Sequence, residues 1–401
     1  MRASRAGGEK VGENAGGVEE YVARARALAP VIRAHADRSE RESRLAPEIV
    51  EAFHAAGLFR ILLPESMNGG GLSIPESLRV FEEVAKLDAS SAWNLAICAD
   101  GPIFGHFVER AAFEEIFSDP RAVLVGSLNP AGSRAVPCDG GWRFSGKANY
   151  LSGSGQASWV MSSGLVFRDG KLKLANGAPR MRTMLFPIQH CKFQDTWNVT
   201  GMRGTGSHDC TYEDVFVADA FTYEWPDPKP TWASGAFGRI PLPTQLGGAL
   251  ATVALGVAQH VLDAFAELAT SKVRLGDRAP LRDRPLAQIQ LAQATGWVRA
   301  ARAYLHQAND DVWRRGEASV PFDVGARAAA RLASVTAVKL CAQAVDLVHD
   351  AVGMTAVQSG HDIERGWRDI HTLSQHVILG TGRYEVIGRI MLGLDPGSPI
   401  I

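Results

Sequence analysis

The sequence predicts an α+β protein, mostly α, built as an N-terminal helical domain, a central antiparallel β-barrel and a C-terminal four-helix bundle. Three observations predict it. Apolar residues recur at helical spacing as far as Phe117, the period drops to two between Arg121 and Tyr223, and the remainder is Ala-rich, with four helical stretches.

Each part follows from its residues. Residues 1–17 are Gly-rich and charged without an apolar core, so a disordered tail is expected there rather than a secretory signal. Over 18–120, Ile49, Phe53 and Ala56, then Leu78, Phe81 and Val84, mark buried helix faces. Breaks fall at 64–72 and at Asp119-Pro120, so four or five helices are expected. Over 121–225, the segments 122–128, 142–151, 159–167, 182–188 and 210–217 alternate in polarity and are bounded by turns such as Asp139-Gly140-Gly141. Strands with no helical pattern between them predict a small antiparallel barrel or sandwich. A Pro-rich connector, 226–243, leads to a bundle spanning 244–401, with helices expected at 244–273, 285–315, 323–352 and 363–394. A helix of about 30 residues runs about 45 Å, and four joined by short loops make an antiparallel bundle. Ala-rich helices of that length also predict packing against a second copy of the chain.

Composition narrows the function. Among 401 residues, 42 Lys and Arg face 43 Asp and Glu, a net charge of -1. That balance offers no electrostatic reason to bind nucleic acid or an anionic membrane. The apolar run Ala249–Ala258 is broken by Thr252 and Gly256 and is shorter than the roughly 20 residues of a membrane span. The five cysteines are scattered without Cys-x-x-Cys spacing, which argues against a disulfide framework or a zinc site and for the cytoplasm. Gly204-Thr205-Gly206 lacks a third glycine and precedes a strand, so a Rossmann dinucleotide site is not expected. A di-iron bundle needs two Glu-x-x-His motifs; the single copy, Glu51 to His54, lies outside the bundle, and no metal is expected.

Six strings, in order, carry a resemblance. They are Ala56-Gly57-Leu58-Phe59 with Pro64 to Gly71; Leu87 to Trp93; Gly126 to Gly132; Trp142 to Gly146 leading to Leu151-Ser152-Gly153; Gly201 to Ser207; and Trp367-Arg368-Asp369 with Ser374-Gln375-His376. On these the chain resembles the acyl-CoA dehydrogenase superfamily, and most closely its flavin-dependent monooxygenase branch, whose members work with a separate flavin reductase.

The resemblance implies a flavin between barrel and bundle. Backbone groups of Ser127, Leu128 and Asn129, with Tyr150 and Ser152, would face its ring. Arg274, taken as part of the first long bundle helix, would clamp its phosphate, in some relatives that of a neighbouring subunit. An acyl-CoA dehydrogenase needs a carboxylate base over the flavin. The matching positions hold His376, Val377 or Leu379, and Glu385 lies at least a helical turn further on. The resemblance therefore favours an oxygenase with His376 as the catalytic residue. A ring that titrates near neutrality can take a phenol proton or donate a hydrogen bond. Trp93, Phe104 and His106 would wall the substrate pocket, His371 is expected to be structural, and His208 lies on a loop near the flavin.

The implied activity is that of the oxygenase component of a two-component monooxygenase. A separate NAD(P)H:flavin reductase would supply FMNH2 or FADH2, and reaction with O2 through a C4a-(hydro)peroxyflavin would hydroxylate a small aromatic or phenolic substrate. N- or S-oxygenation, and acyl-CoA dehydrogenation, are the alternatives on the same fold. A homotetramer is the habit of the family.

Overall fold

The computed structural model describes residues 15–398 apart from Asn176, Ser234 and Asp277, so 1–14 of the expected tail lie outside the described residues. Seven helices precede the strands among the described residues: α1 (Ala15–Ala27), α2 (Ala29–Glu42), α3 (Pro47–Ala55), α4 (Ile74–Ala85), α5 (Ala89–Ala99), α6 (Gly101–Gly105) and α7 (Arg110–Ile116). That is more than expected, because Pro30 and Pro102 open new helices directly after the preceding ones and split what the apolar period runs together. The caps are local and strong. Ser73 and Glu76 form a reciprocal capping box on α4, and Asp88 accepts from the Ser91 N–H at 2.7 Å to start α5.

The strands are β1 (Leu124–Ser127), β2 (Arg134–Cys138), β3 (Gly141–Leu151), β4 (Trp159–Arg168), β5 (Lys171–Leu172), β6 (Leu174–Ala175), β7 (Ala178–Pro179), β8 (Met181–Pro187), β9 (Lys192–Gln194), β10 (His208–Ala218) and β11 (Thr222–Trp225). Nine of them form one sheet in the order β11-β8-β4-β2-β3-β10-β9, with β1 and β5 also on β4. The expected closed antiparallel barrel is not what forms. β1 and β2 both run parallel to β4, and the end strands β11 and β9 do not pair with each other. Alternating polarity reports which face of a strand is buried, not which strand it pairs with. Here the β2–β3 hairpin lies between β1 and β4 in sequence, giving the chain enough length to return and pair in parallel.

Two short helices, α8 (Gly235–Arg239) and α9 (Leu242–Gln245), lie in the connector. They are followed by α10 (Gly248–Ala269), α11 (Pro285–Glu317), α12 (Val324–Val352), α13 (Asp362–Leu373) and α14 (Arg383–Met391). α10 packs on α4, α12 and α13 at once and is buried at every position of its first half, Gly248 to Ala258. The segments Leu242–Ala269 and Val324–Val357 are long and apolar enough to cross a membrane, which the broken run 249–258 understates; most of the first is buried inside the protein, as a core helix is. The helix expected over 363–394 breaks between Leu373 and Arg383, where Gly380 and Gly382 each weaken a helical backbone by about 1 kcal/mol. This break puts His376 on a turn rather than on a helix.

Candidate active site

Three elements meet at one point. Trp93, on α5, is buried, and its ring stands edge-on to the His376 imidazole with centroids 5.4 Å apart. The Trp93 indole N–H donates to Ser152 Oγ at 3.0 Å. Ser152 directly follows β3. The next residue, Gly153, has φ +77° and lies so close to α5 that a Cβ there would come 2.7 Å from Cys98 Sγ. Helix, sheet and the turn between α13 and α14 thus converge on Trp93, Ser152 and His376.

His376 is held neutral. Burial pushes its pKa down to about 4, assisted by the positive charges of Arg331 and Arg383. Arg331 is buried and donates to the Pro243 and Leu246 carbonyls at 2.6 and 3.0 Å; Arg383 Nε donates to the Val377 carbonyl at 2.7 Å. The Ile378 N–H donates to His376 Nδ1 at 3.4 Å, so the ring proton belongs on Nε2. In this state His376 offers a hydrogen-bond donor at Nε2, and taking up a proton is disfavoured.

The remaining expected residues divide. Ser127 ends β1, and beyond it the backbones of Leu128 and Asn129 make no hydrogen bonds among the described residues; the Asn129 side chain accepts from the Ala131 N–H at 3.1 Å. Tyr150 has φ +59°, is 71% exposed and stands edge-on to Trp197 at 6.2 Å. Phe104 packs half-buried on the core. His106 belongs to a different cluster, boxed by Phe113, Trp232 and Phe237 at 5.6, 5.2 and 5.0 Å, with its Nδ1 unpartnered. Burial alone pushes its pKa down to about 4.

Arg274 departs from expectation. It lies in the loop after α10, not on the helix, and donates to the Asp350 and Ala351 carbonyls, capping the end of α12. Ala351 and Arg331 are 20 residues apart on α12, which places the Arg274 end about 30 Å along the helix from the Arg331–His376 end. His208 is pinned between the Trp197 N–H and the Ser43 carbonyl, and His371 pairs with Asp346 at 2.8 Å. Glu51 pairs with Arg121, His54 packs on Phe59, and Glu385 is exposed. Among the described residues, no three His, Cys, Asp or Glu side chains converge as metal ligands. The charged cleft of about 500 Å³ between α1, α4 and α11 is neutralised internally, Glu82 holding Arg302 at 2.7 Å and His306 at 3.2 Å.

Four further residues emerge only from the structure. Asp369 is buried and accepts from the Met202 N–H at 2.5 Å; burial raises its pKa to about 7. Thr205 and Ser207 join Met202 to Ser152 through hydroxyl contacts. Asp100, seven residues beyond Trp93 and so on the same side of the chain two turns on, is buried, and burial raises the pKa of its carboxyl group to about 8. The i+7 spacing from Trp93 was the available signal for Asp100; the string Gly201 to Ser207 was the signal for the hydroxyls.

A flavin ring asks for aromatic faces and for short polar groups along its edge. The unpaired backbone of Leu128 and Asn129, the Ser152 hydroxyl and the exposed Tyr150 ring fit that demand.

The acyl-CoA dehydrogenase N-terminal domain model matches residues 19–115, and the C-terminal domain model matches 249–380. The chain is 28% identical to the indole-3-acetate monooxygenase of Pseudomonas putida, with 91% of each chain covered. It is 27% identical to the oxygenase component of the FADH(2)-dependent resorcinol hydroxylase of Rhizobium sp., with 94% of each covered. Its fold matches XiaF from Streptomyces sp. with a TM-score of 0.89 at 24% identity, over 97% of this chain and 99% of that one. With its two terminal domains matched, the chain belongs to the acyl-CoA dehydrogenase family, and the relatives that align with it nearly end to end are flavin-dependent monooxygenase oxygenase components.

Proposed function

We propose that this chain is the oxygenase component of a two-component monooxygenase that hydroxylates a small aromatic, phenol-like substrate. The carrying observation is the meeting of Trp93, Ser152 and a neutral His376, where the dehydrogenase reaction would need a carboxylate. The named relatives act on indole-3-acetate and resorcinol, both aromatic. When bound, reduced FMN or FAD from a separate NAD(P)H-dependent reductase supplies the electrons with which O2 is activated, one oxygen atom passing to the substrate.

The chain's own residues do the rest. Backbone groups at Ser127, Leu128 and Asn129, with Ser152, bind the ring edge, and Tyr150 covers a face. Trp93 and Phe104 wall the substrate and exclude water. His376 donates from Nε2 to oxygen on the substrate or on the activated O2 and so orients the transfer. His106 lies in its own aromatic box and serves the pocket only through packing.

The division into 18–120, 121–225 and 244–401 gives this site its three walls, the last acting as a four-helix bundle. Arg274 would serve a flavin phosphate across a subunit contact, in a homo-oligomer such as a tetramer. Leu275, Met354 and Val357 support that contact, since all three are exposed apolar side chains near the Arg274 end of α12. The five free cysteines suit the cytoplasm.

The test is to load the protein anaerobically with FMNH2 or FADH2, mix it with O2 and indole-3-acetate or resorcinol, and weigh the product by mass spectrometry. A gain of one oxygen atom in wild type, lost in His376→Ala, is expected. Reoxidation with only hydrogen peroxide formed, across a panel of phenols and indoles, would sink the proposal.

A further inference from the structure

The hydroxyl chain behind Trp93 has only one consistent arrangement of its protons. Thr205 Oγ1 lies 2.8 Å from the Met202 carbonyl, which can only accept, so the Thr205 proton is committed there. Ser207 Oγ lies 2.7 Å from Thr205 Oγ1; that contact needs a proton, and only Ser207 can supply it. Ser152 Oγ lies 2.7 Å from Ser207 Oγ, whose own proton is already used, so Ser152 donates to Ser207. The Trp93 indole, a donor only, occupies one Ser152 lone pair at 3.0 Å. One lone pair and no proton remain on Ser152, and at 8% exposure the residue is not fully sealed.

The anchor of this chain is built into the fold. Met202 sits in the left-handed region at φ +56°, its N–H held by Asp369 at 2.5 Å and its carbonyl receiving the Thr205 hydroxyl at 2.8 Å, the Thr205 N–H at 3.1 Å and the Trp197 indole N–H at 3.0 Å. Ser152, Thr205 and Ser207 are all buried, so water does not readily re-pair them.

A group that can only accept favours a ligand with a donor. Reducing a flavin adds a hydrogen to a ring nitrogen that in the oxidised ring only accepts. Resting on the flavin reading above, we infer that Thr205 and Ser207 are positioning residues: they hold Ser152 as an acceptor and thereby make the site prefer reduced over oxidised flavin. In Ser207→Ala, or in Thr205→Val with Ser207 turned back, the Ser152 proton is released and the hydroxyl can donate to the oxidised ring.

Anaerobic equilibrium dialysis of the full chain against FMN and FAD, each oxidised or chemically reduced, tests this. Wild type is expected to hold the reduced form at least about tenfold more tightly. Ser207→Ala and Thr205→Val should narrow that ratio about fivefold, as expected for a hydrogen bond worth about 1 kcal/mol, while Thr205→Ser keeps it. The midpoint potential of flavin bound to wild type, which needs no variant, should lie above that of free flavin. A potential at or below the free value, or an unchanged ratio in folded Ser207→Ala or Thr205→Val, overturns the inference. Failure of wild type to take up either redox form overturns the flavin reading itself.

Discussion

His106 is buried and His376 half-buried, yet desolvation pushes the pKa of both down to about 4, and everything else around them differs. His106 is surrounded by Phe113, Trp232 and Phe237, and its Nδ1 has no partner. His376 lies on a turn rather than within a helix, has one nitrogen fixed by the Ile378 N–H, and faces two guanidinium groups and Trp93. A depressed pKa therefore does not mark a site by itself. His376 is useful because its tautomer is set and its neighbours connect to Ser152; His106 is packing with a polar atom left over.

The largest expected effect tests that contrast directly. His376→Ala should lower hydroxylation by about 100-fold, in the range of a lost proton donor, while His106→Phe stays within about threefold, both in single-turnover assays with reduced flavin. Equal losses would break the comparison. In the same pair, His106→Phe removes an unsatisfied buried nitrogen and should raise stability by about 1 kcal/mol in urea titration.

The pH dependence of stability sharpens it. Both histidines bind protons less readily folded than unfolded, so their contribution is complete above about pH 6.5 and is lost as pH falls toward 4. Asp100 and Asp369 run the other way. The fold keeps them protonated to about 8 and 7, so their contribution is complete below about pH 4 and is lost as pH rises through those values. Asp369→Asn should flatten the melting profile between pH 5 and 8, and His106→Phe should flatten it below pH 6; thermal melts across pH decide both. The smallest effect is expected from Trp93→Phe, which keeps the ring but removes the donor to Ser152, shifting reduced-flavin affinity by about fivefold or less by dialysis.

Much of this was legible along the chain. The apolar spacing of Leu78, Phe81 and Val84 found α4, and the strings around Trp93, Ser152 and His376 named residues that meet in space. Other features were not legible. The apolar residues Val377, Ile378 and Leu379 continue the helical pattern through the turn, and the weaker signal of Gly380 and Gly382 was overridden. Tyr150 reads as an ordinary strand residue, although its φ of +59° takes it out of strand geometry and leaves it exposed.

By itself the sequence determined the element types, the helical caps and the family, because these depend on residue spacing within a few turns and on short strings. Only the tertiary structure decided strand partners, the separation of Arg274 from His376 along α12, and the proton order from Met202 through Ser152. Those depend on groups distant in sequence: Ser152 and Ser207 lie 55 positions apart, and Met202 and Asp369 lie 167 apart. Local preference cannot specify which of two hydroxyls donates. That is settled where the chain ends on a carbonyl that can only accept.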